Sequence, residues 1–302
     1  MKRFGAIMTV LALNVAIPAS TAGATGPGSF TCSGGSSSAM STIPAGTYAQ
    51  VTVTGVCHIL GAVTGPAVGP NGTEVITNCN VPGGPVNILG DLTVTPDGFL
   101  DAASCAPSVN IGGNVSVGSG GTLILGCEPF LVIMPPVPPF PTLCPGLVTS
   151  DSIGGNVSSD NALALIVHET AISGNVSLAG GGGGVNCKPD LNLSVALDSK
   201  LGTEGPTPAY TDFEDNRIGG NVAITGLQGC WFGIFRNHVQ KNVILTDNTF
   251  KDADAMEVTD NVVGRNLICF RNNPTVHIGD SGGGPNKVTG LQLGQCKPPL
   301  PL

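Results

Sequence analysis

Apolar residues in this chain come in short alternating groups separated by polar turns. The clearest group is Ile218-Gly-Gly-Asn-Val-Ala-Ile224: an aliphatic residue, two spacers, Asn, then two aliphatics one residue apart. The phrase recurs at Ile111-Gly-Gly-Asn-Val115, Ile153-Gly-Gly-Asn-Val157, Ile172-Ser-Gly-Asn-Val176, Val239-Gln-Lys-Asn-Val243 and Val263-Gly-Arg-Asn-Leu267, with degenerate copies ending at Leu92 and Leu291. Aliphatics two apart, as in Val115 and Val117, Val243 and Leu245, or Leu291 and Leu293, share one face of a strand. Gly, Asn, Asp and Ser between the phrases favour turns, and no long run of apolar residues follows helical spacing.

Anchors at 92, 115, 157, 176, 222, 243, 267 and 291 give steps of 23, 42, 19, 46, 21, 24 and 24. The two long steps are near twice the short ones, which implies copies that have decayed or been interrupted. A fixed period in this range means stacked units, none of which can bury its apolar face alone. A coil of about 22 residues made of short strands and turns is the rung of a parallel β-helix. Leucine-rich repeats share the period but need a Leu-x-x-Leu-x-Leu frame that is missing here. The expected fold is therefore all-β: a right-handed, single-stranded parallel β-helix, or solenoid. The Asn of the phrase, at Asn114, Asn156, Asn175, Asn221, Asn242 and Asn266, is structural on either of two readings. Stacked at one corner, these residues could pass amide hydrogen bonds up the coil and take up left-handed backbone. Alternatively they are simply good turn formers.

Composition fits a thin aliphatic core, with 4% aromatic and 11% charged residues, 45 Gly and 24 Pro. Residues 1–24 read as a secretory signal: Met-Lys-Arg, an apolar run from Phe4 to Ile17, and Ala22-Gly-Ala24 as a small-residue cleavage site. Removing Lys2 and Arg3 with it moves the formal charge from −8 to −10. So acidic a surface argues against nucleic acid and anionic membrane as partners. No later apolar run is long enough for a membrane span. The expected location is secreted or extracellular. Residues 25–85 are expected to form an N-terminal cap and irregular first rungs, 86–296 the regular β-helix, and 297–302 a tail.

Ten cysteines point to an oxidising compartment. Cys57 to Cys79 and Cys105 to Cys127 are each 22 apart, and Cys144 to Cys187 and Cys187 to Cys230 are each 43, close to two rungs. Neighbouring rungs lie within the Cα range that a disulfide tolerates, so adjacent-rung bridges are natural. Together with Cys269 and Cys296, these residues are the candidates for structural disulfides. The Pro-rich stretch 127–145 cannot join a sheet ladder and should loop out, closed by Cys127 and Cys144. Its Phe130, Leu131, Ile133, Met134 and Phe140 would either cover an open edge or dock a partner.

Catalytic signals are few. Gly279-Asp-Ser-Gly-Gly-Gly-Pro285 resembles the nucleophile segment of trypsin-like proteases with one extra Gly. It falls between two repeat phrases and lacks a matching His motif, so it reads as a turn. Two acidic groups, Asp212, Glu214 and Asp215, and Asp252, Asp254 and Glu257, could line one lateral groove, as carboxylates do in polysaccharide-cleaving β-helices. They could bind calcium weakly; a solvated acidic face is the plainer account. No His-x-x-x-His or Cys-x-x-Cys pair suggests a metal centre. Ice binding would need ranks of outward Thr, whereas the residues between the paired aliphatics are Ser116, Ser158, Ser177, Ala223, Ile244, Ile268 and Gln292.

The phrase resembles the rungs of secreted bacterial parallel β-helix repeat proteins of uncharacterised function over about residues 86 to 296. More distantly it is similar to the bactofilin type of filament-forming β-helix, which is cytoplasmic and lacks the signal peptide and cysteines seen here. The resemblance implies the fold and no particular activity. The expected role is structural or binding, at the cell surface or outside the cell, towards an extracellular glycan or a surface protein. The alternative is a carbohydrate-active lyase or hydrolase that uses the acidic residues.

Overall fold

The computed structural model describes residues 27–36, 40–59, 85–102, 108–126, 150–186, 209–279 and 283–297. Among these the regular structure is all strand, and every pairing between strands is parallel. No helix among them is long and apolar enough to cross a membrane. The expected signal at residues 1–24, the Pro-rich stretch 127–145 and Ser281 lie outside the described residues.

Most rungs contribute one strand to each side of a three-sided coil, which is a parallel β-helix. The first sheet stacks ten strands: Phe30–Cys32, Val51–Val53, Leu92–Val94, Val115–Val117, Val157–Asp160, Val176–Ala179, Val222–Thr225, Val243–Thr246, Leu267–Phe270 and Gln292–Gly294. The second stacks eight, from Ser41–Ile43 to Glu257–Thr259, and the third nine, from Gly46–Tyr48 to Lys287–Val288. Period-two alternation explains the core: Val51, Leu92, Val115, Val157, Val176, Val222, Val243 and Leu267 form one inward column, each at most 1% exposed. Isolated rungs could not bury these residues, so stability comes from stacking.

Two corners are closed by residues with positive φ. Glu169, Asp215, Arg236 and Asp260 turn the chain between the second and third sheets, and Asp247 and Arg271 turn it between the first and second. Behind most of these turns stands a buried Asn. Asn216, Asn237, Asn261 and Asn286 form a ladder in which each side-chain carbonyl accepts from the backbone N–H of the residue one rung earlier. Each Nδ2 also donates to a backbone carbonyl of the preceding rung: Val167, Phe213, Ile234 and Val258. Asn248, Asn272 and Gln295 do the same at the other corner. The Asn of the repeat phrase makes a third, more exposed ladder. Asn156, Asn175, Asn221, Asn242 and Asn266 each donate Nδ2 to the Asn one rung before, over 2.9–3.2 Å. None of these Asn has positive φ; the left-handed backbone belongs to the residues ahead of the buried ladders. The phrase Gly packs closely here: a Cβ on Gly155, Gly174 or Gly220 would lie 2.5 Å from the Asn Oδ1 of the rung before. The slot is tight without being exclusive, since Lys241 and Arg265 hold it in two other rungs.

Three sequence expectations are corrected. The long steps are single rungs carrying insertions: Val115 pairs directly with Val157, and Val176 with Val222. The last copy is shifted by one residue, because Gln292 faces Leu267 and Leu293 faces Ile268. Leu291 thus fills the Asn slot, 62% exposed, since a one-residue slip turns every side chain to the opposite face. Leu293, and not Gln292, then stands in the outward column with Ile244 and Ile268.

Cys57 bonds to Cys32, not to Cys79, and Cys269 bonds to Cys296. Each bridge lies in the core and ties neighbouring rungs at one end of the coil, with Cα separations of 6.4 and 5.3 Å. Both fit an oxidising compartment. Cys230 is also disulfide-bonded, while Cys79, Cys105, Cys127, Cys144 and Cys187 lie outside the described residues. Replacing Cys269 and Cys296 together by Ala should cost the last rung about 3.5 kcal/mol, the closure entropy of a loop this long. Because contacts in a solenoid are nearest-neighbour, hydrogen exchange should accelerate over residues 287–297 and stay unchanged in the central rungs.

Candidate functional site

The outer face of the second sheet departs from simple alternation. Phe99, Ile124, Ala164 and Ile166 point outward yet are at most 3% exposed, and they form an apolar cluster separate from the main core. The sheet is thus buried on both faces along this stretch, as parallel sheets usually are. The register then continues the outward column from Ile124 through Ile166, Asp212 and Gly233 to Glu257. Two carboxylates from the two predicted acidic groups accordingly share one column, two rungs apart.

His168 and Glu214 are register partners on adjacent strands, and Asp212 precedes Glu214 by two residues, on the same face. One donor atom from each of the three lies within 4.8 Å of the others. His168 Nε2 is 3.2 Å from Asp212 Oδ2, and both residues are buried, at 6% and 7% exposure. Asp212 Oδ1 is buried with no hydrogen-bond partner. Burial pushes the Asp212 carboxyl up to about 8, with the Glu214 charge adding to the shift and His168 opposing it. Burial alone would lower the His168 pKa; its hydrogen bond to Asp212 and the charges of Asp212, Glu214 and Asp215 outweigh that and raise it. Burial and the Asp215 charge likewise raise Glu169.

Beside Asp212 the next strand supplies Trp231, Gly233 and Phe235. The two rings stack with centroids 5.7 Å apart, and the Trp231 indole N–H donates to Glu257 Oε1 at 3.0 Å. A Cβ on Gly233 would lie 2.8 Å from Asp212 Oδ1, so glycine lets the carboxylate pack against the backbone there.

The other predicted acids are placed differently. Asp215 sits at a left-handed corner and accepts from Arg236 Nε and Nη2 at 2.8–3.0 Å, while Arg236 Nη2 also reaches Glu214 Oε2 at 2.6 Å. Asp252 and Asp254 lie in the turn before the second-sheet strand, where Asp252 Oδ1 accepts the Asp254 N–H. Asp254 pairs with His277 at 3.5 Å, and His277 is the parallel bridge partner of Glu257, which extends the Asp212 column by one rung. Of the six acids, Asp212 and Glu257 share one column, Glu214 lies beside Asp212 on the same strand, Asp215 sits at the corner, and Asp252 and Asp254 lie in the turn before Glu257. His168, 44 residues from Asp212, carries no local motif; its signal is the register itself, legible once insertions are subtracted.

On the third sheet a shallow groove of about 610 Å³ runs over Ala171, Ser173, Arg217, Gly219, His238 and Gln240. Arg217 and His238 are register partners on neighbouring rungs and both exposed. No family model matches the chain, and neither does any curated protein or solved structure.

Proposed function

We propose that the protein acts outside the cell as a rigid, disulfide-braced rod that binds an extracellular glycan or a surface protein without turning it over. The use of its carboxylates supports this reading. Asp91, Asp151, Asp215, Asp247, Glu257 and Asp260 each accept hydrogen bonds from a neighbouring rung, so that acids serve as ties along the coil. Catalytic carboxylates must meet substrate, whereas Asp212 is 93% buried and Asp254, two rungs on, is paired with His277. Ligand recognition fits the groove of the third sheet better, because Arg217 and His238 present two donors to an acidic sugar in an otherwise acidic protein. A glycan panel assayed for both binding and product release should give binding without products, weakened about tenfold or more in Arg217→Ala through loss of a charge-assisted hydrogen bond. Product release abolished by Asp254→Asn would sink this reading.

The second reading is a carbohydrate-active enzyme. It is favoured by Asp212, whose carboxyl is raised to about 8 by burial and the Glu214 charge, the direction a general acid needs. Turnover lost in Asp212→Asn but kept in Asp254→Asn would select it.

A further inference from the structure

We propose that His168, Asp212 and Glu214 form a binding site for one divalent cation of the zinc type. The rung spacing creates the arrangement: His168 and Glu214 face each other on adjacent strands, and Asp212 projects from the same face, completing a triangle of donors within 4.8 Å. Two of the three side chains are more than nine-tenths buried, and Asp212 Oδ1 has no hydrogen-bond partner there. Oδ1 faces Gly233 on the next strand while Oδ2 faces His168, so a cation on Oδ2 lowers the cost of burying this carboxylate by neutralising its charge.

Charge and geometry point to the same occupant. Once the cation has displaced the protons held there, a neutral imidazole with two carboxylates carries two negative charges, which one divalent ion balances. Tetrahedral zinc holds N and O donors at about 2.0–2.2 Å, and three protein ligands with one water is a standard open site. That places donors roughly 3.5 Å apart, and the 3.2 Å between His168 Nε2 and Asp212 Oδ2 is already of that order. Glu214 needs a side-chain adjustment of about an ångström to join them, and Arg236, 2.6 Å from its Oε2, steadies it from outside the ligand set. Calcium needs about six to eight oxygens and disfavours imidazole, so this donor set rejects the weak calcium role suggested by the acidic composition.

The test titrates zinc alone into the full chain, stripped of metal with a chelator and followed by calorimetry, with cobalt as a spectroscopic substitute. One zinc per chain is expected, not displaced by a hundredfold excess of calcium, together with the strong visible bands of four-coordinate cobalt. His168→Gln and Glu214→Gln should each weaken zinc at least about a hundredfold and abolish the cobalt bands. His277→Ala, which alters the surface pair with Asp254, should bind as the parent does. Should His168→Gln fail to fold, the partly exposed Glu214→Gln decides the matter. Absence of stoichiometric zinc in the parent chain, full binding in Glu214→Gln, or loss of binding in His277→Ala would each overturn the proposal.

Discussion

Replacing Asn237 by Ala is expected to cost about 4 kcal/mol, because it removes four buried hydrogen bonds, two accepted from Asn216 and two donated to Phe213 and Asn261, at about 1 kcal/mol each. Asn237 is fully buried. Its Oδ1 accepts the Asn216 backbone N–H at 3.0 Å and the Asn216 Nδ2–H at 2.9 Å, and its own Nδ2 donates to the Phe213 carbonyl at 2.8 Å. With the amide gone, the Asn216 N–H loses its partner in the core, while the Phe213 carbonyl keeps only its ladder bond from Phe235. Asn175 is the control: it makes the same rung-to-rung bonds on the exposed ladder, where water can replace the amide. Asn175→Ala should cost about 1 kcal/mol or less. Urea denaturation of both variants measures the contrast, and equal losses would show that the buried ladder has no special weight.

The second large effect has the opposite sign. Asp151 occupies the same corner as the buried Asn ladder, and its Oδ1 accepts the Val109 N–H at 2.7 Å. Its Oδ2 is buried without a hydrogen-bond partner, and burial pushes the carboxyl up to about 7 despite the Val109 bond. Between the unfolded value of 3.8 and about 7, the folded state holds a proton that the unfolded state has released. Stability contributed by this group is therefore greatest below pH 3.8 and falls as pH rises through that window. Across about three pKa units the loss amounts to about 4 kcal/mol. Asp151→Asn should abolish that slope and stabilise the protein at pH 8. The register gives the new amide a partner, since the Ala102 carbonyl stands two rungs before that of Val167, which Asn216 Nδ2 uses. Melting curves of parent and variant from pH 3 to 8 isolate the effect, because groups common to both cancel. Parallel curves would refute it.

The rung was legible because a strand encodes its inward face at every second residue, and because the Asn-Val-x-Val phrase marks one corner of every turn. The exposed Asn ladder follows from that phrase alone. The buried ladder carries the same period, with Asn216, Asn237, Asn261 and Asn286 spaced 21, 24 and 25 apart, but no flanking pattern sets these Asn apart from ordinary turn residues. The last rung was misaligned because Leu291 and Leu293 satisfy alternation equally well in either register. Only the pairing of Gln292 with Leu267 distinguishes the two faces. Cysteine spacing failed for a related reason: the Cys32–Cys57 bridge crosses between two faces, so its separation of 25 reflects rung geometry plus a corner.

By itself the sequence determined the coil, its period and the inward columns, because those depend on local alternation repeated many times. Tertiary structure alone decided which distant residues share a face. Insertions of unequal length put His168 opposite Glu214 and placed Asp212 beside them. Chemistry in a solenoid arises from lateral register, and register is fixed by stacking energy summed over whole rungs, which no short stretch of sequence contains.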